Sequence, residues 1–560
     1  MSNYELSKII FINNMSIKSH KKNKTIKLFS TVKSTTYDLL RNLGIKVICG
    51  NPGSTEETFL SNFPKDFTYI MALQEASVVG IADGISQSIR KPVIVNVHTG
   101  VGIGNGMGNI LTAYQNKTPL ILTSGNQTRN MLLLEPLLTN IEPTMLPLPW
   151  VKWAYQPCCA EDVPPSFMRA YATAVQEPQG PVYLSIPLDD WAKKTSKSVV
   201  MRKISERQSP DPRICQEFAT KINNSVHPVI IYGSDIARSN AWNEAILFAE
   251  KVNAPVWSGP FTERTPFPET HPLYQGQLKS SIRGLFEEIK DHDLIIVVGA
   301  PVFRYYPYVP GKYISEKSNL LLVSDDPDVI AKAPIGDSLL CNSKLFFEHI
   351  TPNITNKHKK VPTRSPPPDM KDELVPFTQI MTLQLLKKQL PEDFILTEEC
   401  PSIVSYMQDI IRIDKPDTFY TFASGGLGWT MPASIGLSIG EKMMNRNRPV
   451  ICLIGDGSFQ YSLQSLFTGV QHKTHVIYIV FQNNEYGILK EFALLEKTPN
   501  VPGLDLPNLD IVSLAKGYGA YSVLISSQFE FTTEIKKALD VKQVSVIVVP
   551  TKKVVGSLTI

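Results

Sequence analysis

Two residues 27 positions apart, Asp456 and Asn483, carry oxygens that could hold a hard cation. One brings a carboxylate and the other an amide oxygen. Mg²⁺ takes such donors, commonly one or two carboxylates, and fills its other positions with waters and phosphate oxygens. Gly457 and Ser458 follow Asp456 directly and open a helix, whose first N–H groups favour a phosphate. A plain strand–turn–helix unit could carry the same Gly-Asp-Gly turn without a metal. The spacing from GDGS to the Asn483-Asn484 pair favours the metal–phosphate reading.

The elements around these residues place them together. Residues 449–454 are a short apolar, β-branched run that stops at Gly455-Asp456-Gly457-Ser458. Residues 462–470 form a helix with Leu463, Leu466, Phe467 and Val470 on one face. Residues 475–481 are a second apolar run, ending at Asn483-Asn484. Two apolar strands joined by a helical crossover make a parallel βαβ unit, almost always right-handed. Both strand ends then lie at one sheet edge, where open α/β sheets bind ligands.

At 560 residues the chain is long enough for three or four domains. Its 43% hydrophobic and 19% charged residues are those of a globular protein. No apolar run approaches the roughly 18–20 residues that span a membrane. Residues 1–30 hold six Lys against one Glu, so with a net charge of +4 the other 530 residues sum to −1. The basic excess belongs to the N-terminal tail and gives no reason to expect nucleic acid. Seven Cys without regular spacing do not form a disulfide framework, and Cys158-Cys159 has no partner pair for zinc. Reduced thiols in the cytoplasm are expected. The tail, 1–30, reads as a disordered basic extension. Its apolar stretch is too short for a signal peptide and it lacks the Arg of a mitochondrial presequence. Met15 is an alternative start.

Strands alternate with helical segments along the rest, which predicts doubly wound parallel sheets. A first domain, 31–195, has a helix at 36–43 and strands at 46–49, 92–97, 119–124 and 181–186. The second of these strands ends at His98 and the first runs into Gly50-Asn51-Pro52-Gly53-Ser54. The glycines from Gly100 to Gly108 fall on even numbers, so no dinucleotide fingerprint is present. A second domain, 205–350, has buried strands at 228–232, 294–298 and 320–323 and no phosphate fingerprint, so it reads as a Rossmann-like scaffold. Residues 355–372 are basic and proline-rich, a linker. A third domain, 373–555, holds the metal–phosphate unit and ends with a strand at 544–549. The first and third domains show no sequence repeat.

GDGS followed by NN resembles the diphosphate-binding motif of the thiamine diphosphate (ThDP)-dependent enzymes. The similarity runs from about 35 to 550. It is carried by GNPGSTEETFL, ALQEASVVGIADG, GNGMGN, LLTN, PQGPVYLSIPLDDW, APVW, GAPVFRY, GGLGWTMPASIG, VPGLD and LAKGYG. Within the family the chain is most similar to the benzoylformate decarboxylase branch. The resemblance implies three α/β domains, named pyrimidine-binding, central and diphosphate-binding. It also implies a homotetramer, or at least a dimer, with active sites between subunits.

It further implies roles for particular residues. Glu75 matches the glutamate that hydrogen-bonds the aminopyrimidine and activates the cofactor, a task that calls for burial and a raised pKa. Gly425 and Leu427 match the residues that bond the pyrimidine amine and prop the cofactor into a bent shape. Asp456 and Asn483, with the main-chain carbonyl of Glu485, match the Mg²⁺ ligands. Gly457, Ser458, Tyr486 and Gly487 fall on the cofactor-binding segment. Ser54 matches a substrate-carboxylate ligand and His98 a proton-transfer residue. The implied reaction is non-oxidative decarboxylation of an aromatic or branched 2-keto acid to an aldehyde and carbon dioxide.

Two departures stand out. The family's second catalytic histidine is Tyr306 here, a poor proton relay near neutrality. The threonine-rich segment that meets the diphosphate is Glu399-Cys400-Pro401-Ser402, with Ser402 the available hydroxyl. A carboligase or lyase, or an acetolactate-synthase-like enzyme, is therefore a second reading, and a catalytically weak paralogue a third. The absence of a consecutive His-His pair counts against pyruvate. Leu489 and Phe492 read equally as substrate pocket or as core.

Overall fold

Each of the strand-rich segments folds into a six-stranded parallel sheet in this computed structural model, which describes residues 30–196, 199–355, 363–364, 366 and 374–554. The tail 1–29 and nearly all of the expected linker at 355–372 lie outside the described residues.

The first sheet runs, edge to edge, Thr68–Met71, Val47–Asn51, Val93–Val97, Leu120–Asn126, Val182–Pro187 and Ala154–Tyr155. The third runs Phe419–Thr421, Ile395–Glu399, Val450–Gly455, Val476–Gln482, Ser545–Pro550 and Tyr521–Leu524. Counting strands by their place in each sheet's own chain order, both are arranged 2-1-3-4-6-5. The repeat invisible in the sequence is thus present in the topology. The central sheet runs Tyr274–Gln277, Val256–Ser258, Pro228–Tyr232, Leu294–Val298, Asn319–Ser324 and Asp337–Leu340, or 3-2-1-4-5-6. That is the dinucleotide-binding order. The glycines from 100 to 108 lie inside the helix Thr99–Gln115 and form no phosphate loop.

The βαβ unit exists with one change. Val450–Gly455 and Val476–Gln482 pair in parallel, with Gly455 opposite Phe481. A short helix, Asp456–Phe459, begins at once, and the crossover helix proper is Ser465–Gln471 rather than 462–470. Leu466 is fully buried, and Leu463 and Val470 pack against the same core.

The first and third sheets are joined by helix packing. Helix Glu75–Ile89 lies against helix Thr430–Met443. A Cβ at Gly84 would stand 2.2 Å from the Ala433 carbonyl oxygen, and one at Gly436 would stand 2.1 Å from that of Ile81. Only glycine permits such a close backbone approach. One apolar core runs through both sheets, from Val47 and Val95 to Trp429, Ile454 and Val548. The central domain has its own cores.

Candidate active site

In a sheet ordered 2-1-3-4-6-5 the chain reverses direction between the first and third strands, and the crevice beyond their carboxyl ends is the natural ligand site. In the first sheet that point lies past Val47–Asn51 and Val93–Val97, and there stand Ser54 and His98. In the third sheet it lies past Ile395–Glu399 and Val450–Gly455, and there stand Ser402 and Asp456. Asn483 follows the next strand along.

Asp456 is buried. Its Oδ1 accepts the Gly457 N–H at 2.8 Å and its Oδ2 accepts the Asn484 N–H at 2.6 Å. Burial pushes its pKa up to about 6 against the pull of these hydrogen bonds. Asn484 turns the chain with φ +56°, and the Glu485 N–H donates to Asn483 Oδ1 at 3.2 Å. Residues 484–486 pair with 504–506 through the Asn484 carbonyl and the Tyr486 N–H, at 2.9 and 2.8 Å. The Glu485 side chain is turned to Lys490, at 2.6 Å, which leaves its main-chain carbonyl as the expected donor.

These residues fit a magnesium diphosphate. The Asp456 carboxylate, the Asn483 amide and the Glu485 carbonyl form an all-oxygen set suited to Mg²⁺. A Cβ at Gly457 would meet the Tyr486 ring at 2.5 Å, so glycine keeps this turn tight against the next loop. Gly487 faces Asn483 Nδ2 and, at 3.9 Å from its notional Cβ, Ser402 Oγ. The Ser402 hydroxyl thus lies beside the Asn483–Gly487 turn. Ser458 is buried within the short helix. Gly425 has φ +73° and is exposed, and Leu427 is half-buried at the same loop.

A second cluster belongs to the first sheet. Glu75 is the first residue of its helix and is 9% exposed, with Oε2 accepting from Asn105 Nδ2 at 3.1 Å. His98 precedes the helix Thr99–Gln115, and its Nδ1 lies 2.9 Å from Glu56 Oε2 and 3.2 Å from Thr55 Oγ1. Glu56 is itself buried, accepting from Gly53 N, Gly125 N and Thr55 Oγ1. A Cβ at Gly53 would strike the His98 ring at 2.1 Å, so the GNPGS turn lies directly on the imidazole and Ser54, exposed, is next to it. Thr99 is β-branched at φ +44°, a strained position of the kind that collects at functional sites. Sequence reading did not single out Glu56 or Asn105, although both lie inside the motifs that carried the resemblance.

Tyr306, on a central-domain loop, is 59% exposed and packs on Phe492 with ring centroids 5.0 Å apart. Phe492 belongs to helix Gly487–Glu496, which follows the Asn483 turn. Two residues chosen separately from the sequence are therefore neighbours, and Leu489 on that helix is 46% exposed rather than core. Among the described residues no hydrogen bond, ion pair or ring contact joins Ser54, His98 or Glu75 to Asp456 or Asn483 within one chain.

Two parallel sheets of one topology, each with a polar constellation at its reversal point and a Rossmann-like sheet between them in the chain, define the class. The chain belongs to the thiamine pyrophosphate enzyme family. Residues 30–142 match its N-terminal TPP binding domain, 215–350 its central domain and 402–549 its C-terminal TPP binding domain. The chain is 37% identical to a benzoylformate decarboxylase of Pseudomonas aeruginosa over 94% of its own length and 99% of that protein's. It superposes on the crystal structure of benzoylformate decarboxylase from Polynucleobacter necessarius with a TM-score of 0.94 and 60% identity, covering 94% of this chain and 100% of that one. A 4-hydroxybenzoylformate decarboxylase of Rhodococcus jostii RHA1 follows at TM-score 0.90 and 34% identity, with 94% and 100% covered.

Proposed function

We propose that this chain is a ThDP- and Mg²⁺-dependent decarboxylase of a 2-keto acid, with a benzoylformate-like aromatic or branched substrate. The observation that carries this is Ser54–His98 at the reversal point of the first sheet and Asp456, with Asn483 past the next strand, at that of the third, in a chain of this family whose Glu75 opens the helix after the first sheet's edge strand. Asp456, Asn483 and the Glu485 carbonyl would hold Mg²⁺, and Gly457, Ser458, Tyr486 and Gly487 would line the diphosphate. Gly425 would accept from the pyrimidine amine, with Leu427 beneath the bend. When bound, thiamine diphosphate would supply a nucleophilic carbon and an electron sink for loss of carbon dioxide. Glu75 holds a proton against the pyrimidine ring. Ser54 donates its hydroxyl hydrogen to the substrate carboxylate. His98, oriented by Glu56, moves a proton at the reacting carbon through Nε2. Tyr306 and Phe492 give an aromatic wall that suits an aryl substituent.

The proposal includes a homotetramer whose active sites pair the first domain of one subunit with the third of another. Supporting this, the segment after Leu120–Asn126 exposes Leu133, Leu134, Leu137, Ile141 and Met145, an apolar patch of the kind that marks an interface. Gly104 and Gly108 also leave an open strip on helix Thr99–Gln115 for close approach. Neither nucleic acid nor a membrane is a proposed partner, and no described helix is long and apolar enough to cross a membrane. A cytoplasmic location accords with seven free cysteines.

Tyr306 favours a second reading, a carboligase or lyase, because slow protonation at the reacting carbon leaves time for an aldehyde to be joined there. The deciding experiment incubates purified protein with ThDP, Mg²⁺ and a panel of aryl, branched and short 2-keto acids, with chelator controls. Carbon dioxide and free aryl aldehyde are expected, and the chelator should stop both. Ligated hydroxyketone as the main product selects the second reading, and no carbon dioxide from any acid rejects the decarboxylase.

A further inference from the structure

The loop Ala423–Trp429, which carries Gly425 and Leu427, is held from both sides of the interface between the first and third domains. Gly425 and Gly428 sit at φ +73° and +102°, and a Cβ at Gly425 would touch nothing within 4 Å. Within the third domain, the Gly426 N–H donates to Ser424 Oγ at 3.0 Å, the Gly428 N–H to Glu399 Oε1 at 2.6 Å and Ser462 Oγ to the Gly428 carbonyl at 2.8 Å. Both ends are also held by the first domain. At the near end, the Ala423 N–H donates to Asn116 Oδ1 at 3.0 Å, and Ser424 Oγ lies 2.8 Å from Thr112 Oγ1. At the far end, the Gly428 carbonyl accepts from Asn109 Nδ2 at 3.2 Å, and Trp429 Nε1 donates to Asp83 Oδ2 at 2.7 Å. Asn109, Thr112 and Asn116 fall at helical spacing along Thr99–Gln115 and its C-cap, so one helix face meets the loop.

The two ends meet at a single oxygen. Asn116 Nδ2 donates to the same Asp83 Oδ2, at 3.1 Å, while Gln87 Nε2 fills Oδ1 at 2.8 Å. Asp83, Asn116 and Trp429 are all buried. Among the described residues Asp83 has no ion pair. Its carboxylate is satisfied by neutral donors alone, each directed along a fixed line. A buried polar group of this kind is costly unless every bond is made, so the arrangement tolerates one geometry.

We propose that Asp83 and Asn116 are positioning residues that set the cofactor loop from across the domain interface. The proposal rests on the assignment of Gly425 and Leu427 to the pyrimidine end of the cofactor. Asp83 lies two turns along the helix that begins at Glu75. One helix then presents Glu75 to the pyrimidine bound by a neighbouring subunit and, through Asp83, shapes the loop that receives its own chain's cofactor.

The test uses the full-length chain without cofactor and two variants, Asn116→Ala and Trp429→Phe. Hydrogen–deuterium exchange reads the loop amides directly, and calorimetric titration with ThDP and Mg²⁺ reads affinity. Losing two buried hydrogen bonds in Asn116→Ala, or one in Trp429→Phe, should speed exchange at 425–428 about tenfold or more and weaken ThDP binding about tenfold, with the strand Val450–Gly455 unchanged. Unchanged loop exchange in the folded variants overturns the positioning role itself. Faster loop exchange with unaltered ThDP affinity overturns the proposal by another route, since it detaches the loop from the cofactor and so discards the assignment beneath it. If Asn116→Ala does not fold, Trp429→Phe, which keeps most of the ring's bulk, decides alone.

Discussion

Replacing Glu56 by glutamine should disable His98 without emptying the cofactor site. The Glu56 carboxylate accepts four hydrogen bonds. Gly53 N, at 3.1 Å, and His98 Nδ1, at 2.9 Å, meet Oε2. Gly125 N, at 2.6 Å, and Thr55 Oγ1, at 2.8 Å, meet Oε1. A carboxylate only accepts, so Nδ1 must carry the ring hydrogen and Nε2 keeps its lone pair for the reaction. In Glu56→Gln the amide nitrogen must replace one oxygen. Placed at Oε1 it opposes two donors. Placed at Oε2 it donates to Nδ1, transfers the ring hydrogen to Nε2 and leaves the Gly53 N–H unpaired. The second arrangement loses one charge-assisted bond and inverts the tautomer, for about 2–3 kcal/mol in the transition state. That corresponds to a fall in kcat of roughly 30- to 150-fold. Steady-state carbon dioxide release from a 2-keto acid measures it, and titration of ThDP should show unchanged affinity. A kcat within about threefold of wild type, a difference below 1 kcal/mol, would refute the tautomer argument.

Glu75→Gln should abolish decarboxylation while metal-dependent ThDP binding, followed by calorimetry, stays largely intact; wild-type turnover in this variant removes Glu75 from the mechanism. Tyr306→His should raise the ratio of free aldehyde to ligated product, read by chromatography, and an unmoved ratio places Tyr306 outside the reaction. Burial pushes the Glu269 pKa up to about 7, while its Oε2 accepts the Ile413 N–H at 2.8 Å. The folded state therefore keeps a proton that the unfolded chain loses above its ordinary value near 4.5, and stability falls as pH rises from there through about 7. Glu269→Gln, which stays neutral, should raise the midpoint of thermal unfolding at pH 8 more than at pH 5; an equal shift at both pH values contradicts the protonation argument.

The sequence reading found ten of the twelve interior strands of the three sheets, missing Val256–Ser258 and Ile395–Glu399, and missed their edges. The strands read at 46–49, 92–97, 119–124, 181–186, 228–232, 294–298, 320–323, 449–454, 475–481 and 544–549 all became interior strands. All six edge strands of the three large sheets went unread: Thr68–Met71, Ala154–Tyr155, Tyr274–Gln277, Asp337–Leu340, Phe419–Thr421 and Tyr521–Leu524. Interior parallel strands are covered on both faces and read as continuous apolar runs. Edge strands are short and part-exposed, as at Tyr521–Leu524, so no run forms. Ile395–Glu399 was hidden for another reason. It is fully buried yet ends in two glutamates, and Glu399 spends its charge on the N–H groups of Gly428 and Thr430, at 2.6 and 2.7 Å. At the site, Asp456 and Asn483 were legible because their spacing is local. Glu56 was not, because nothing in STEE separates the buried Glu56 from the exposed Glu57 until Gly125 and His98 are folded onto it.

The shared core between helices Glu75–Ile89 and Thr430–Met443 bears on how the molecule comes apart. Three sheets invite the expectation of three independent melting steps. Yet the first cannot loosen without exposing apolar surface of the third, whereas the central one carries its own interior. Scanning calorimetry should resolve two cooperative units, with the outer pair lost together, so that damage to either catalytic half dismantles both.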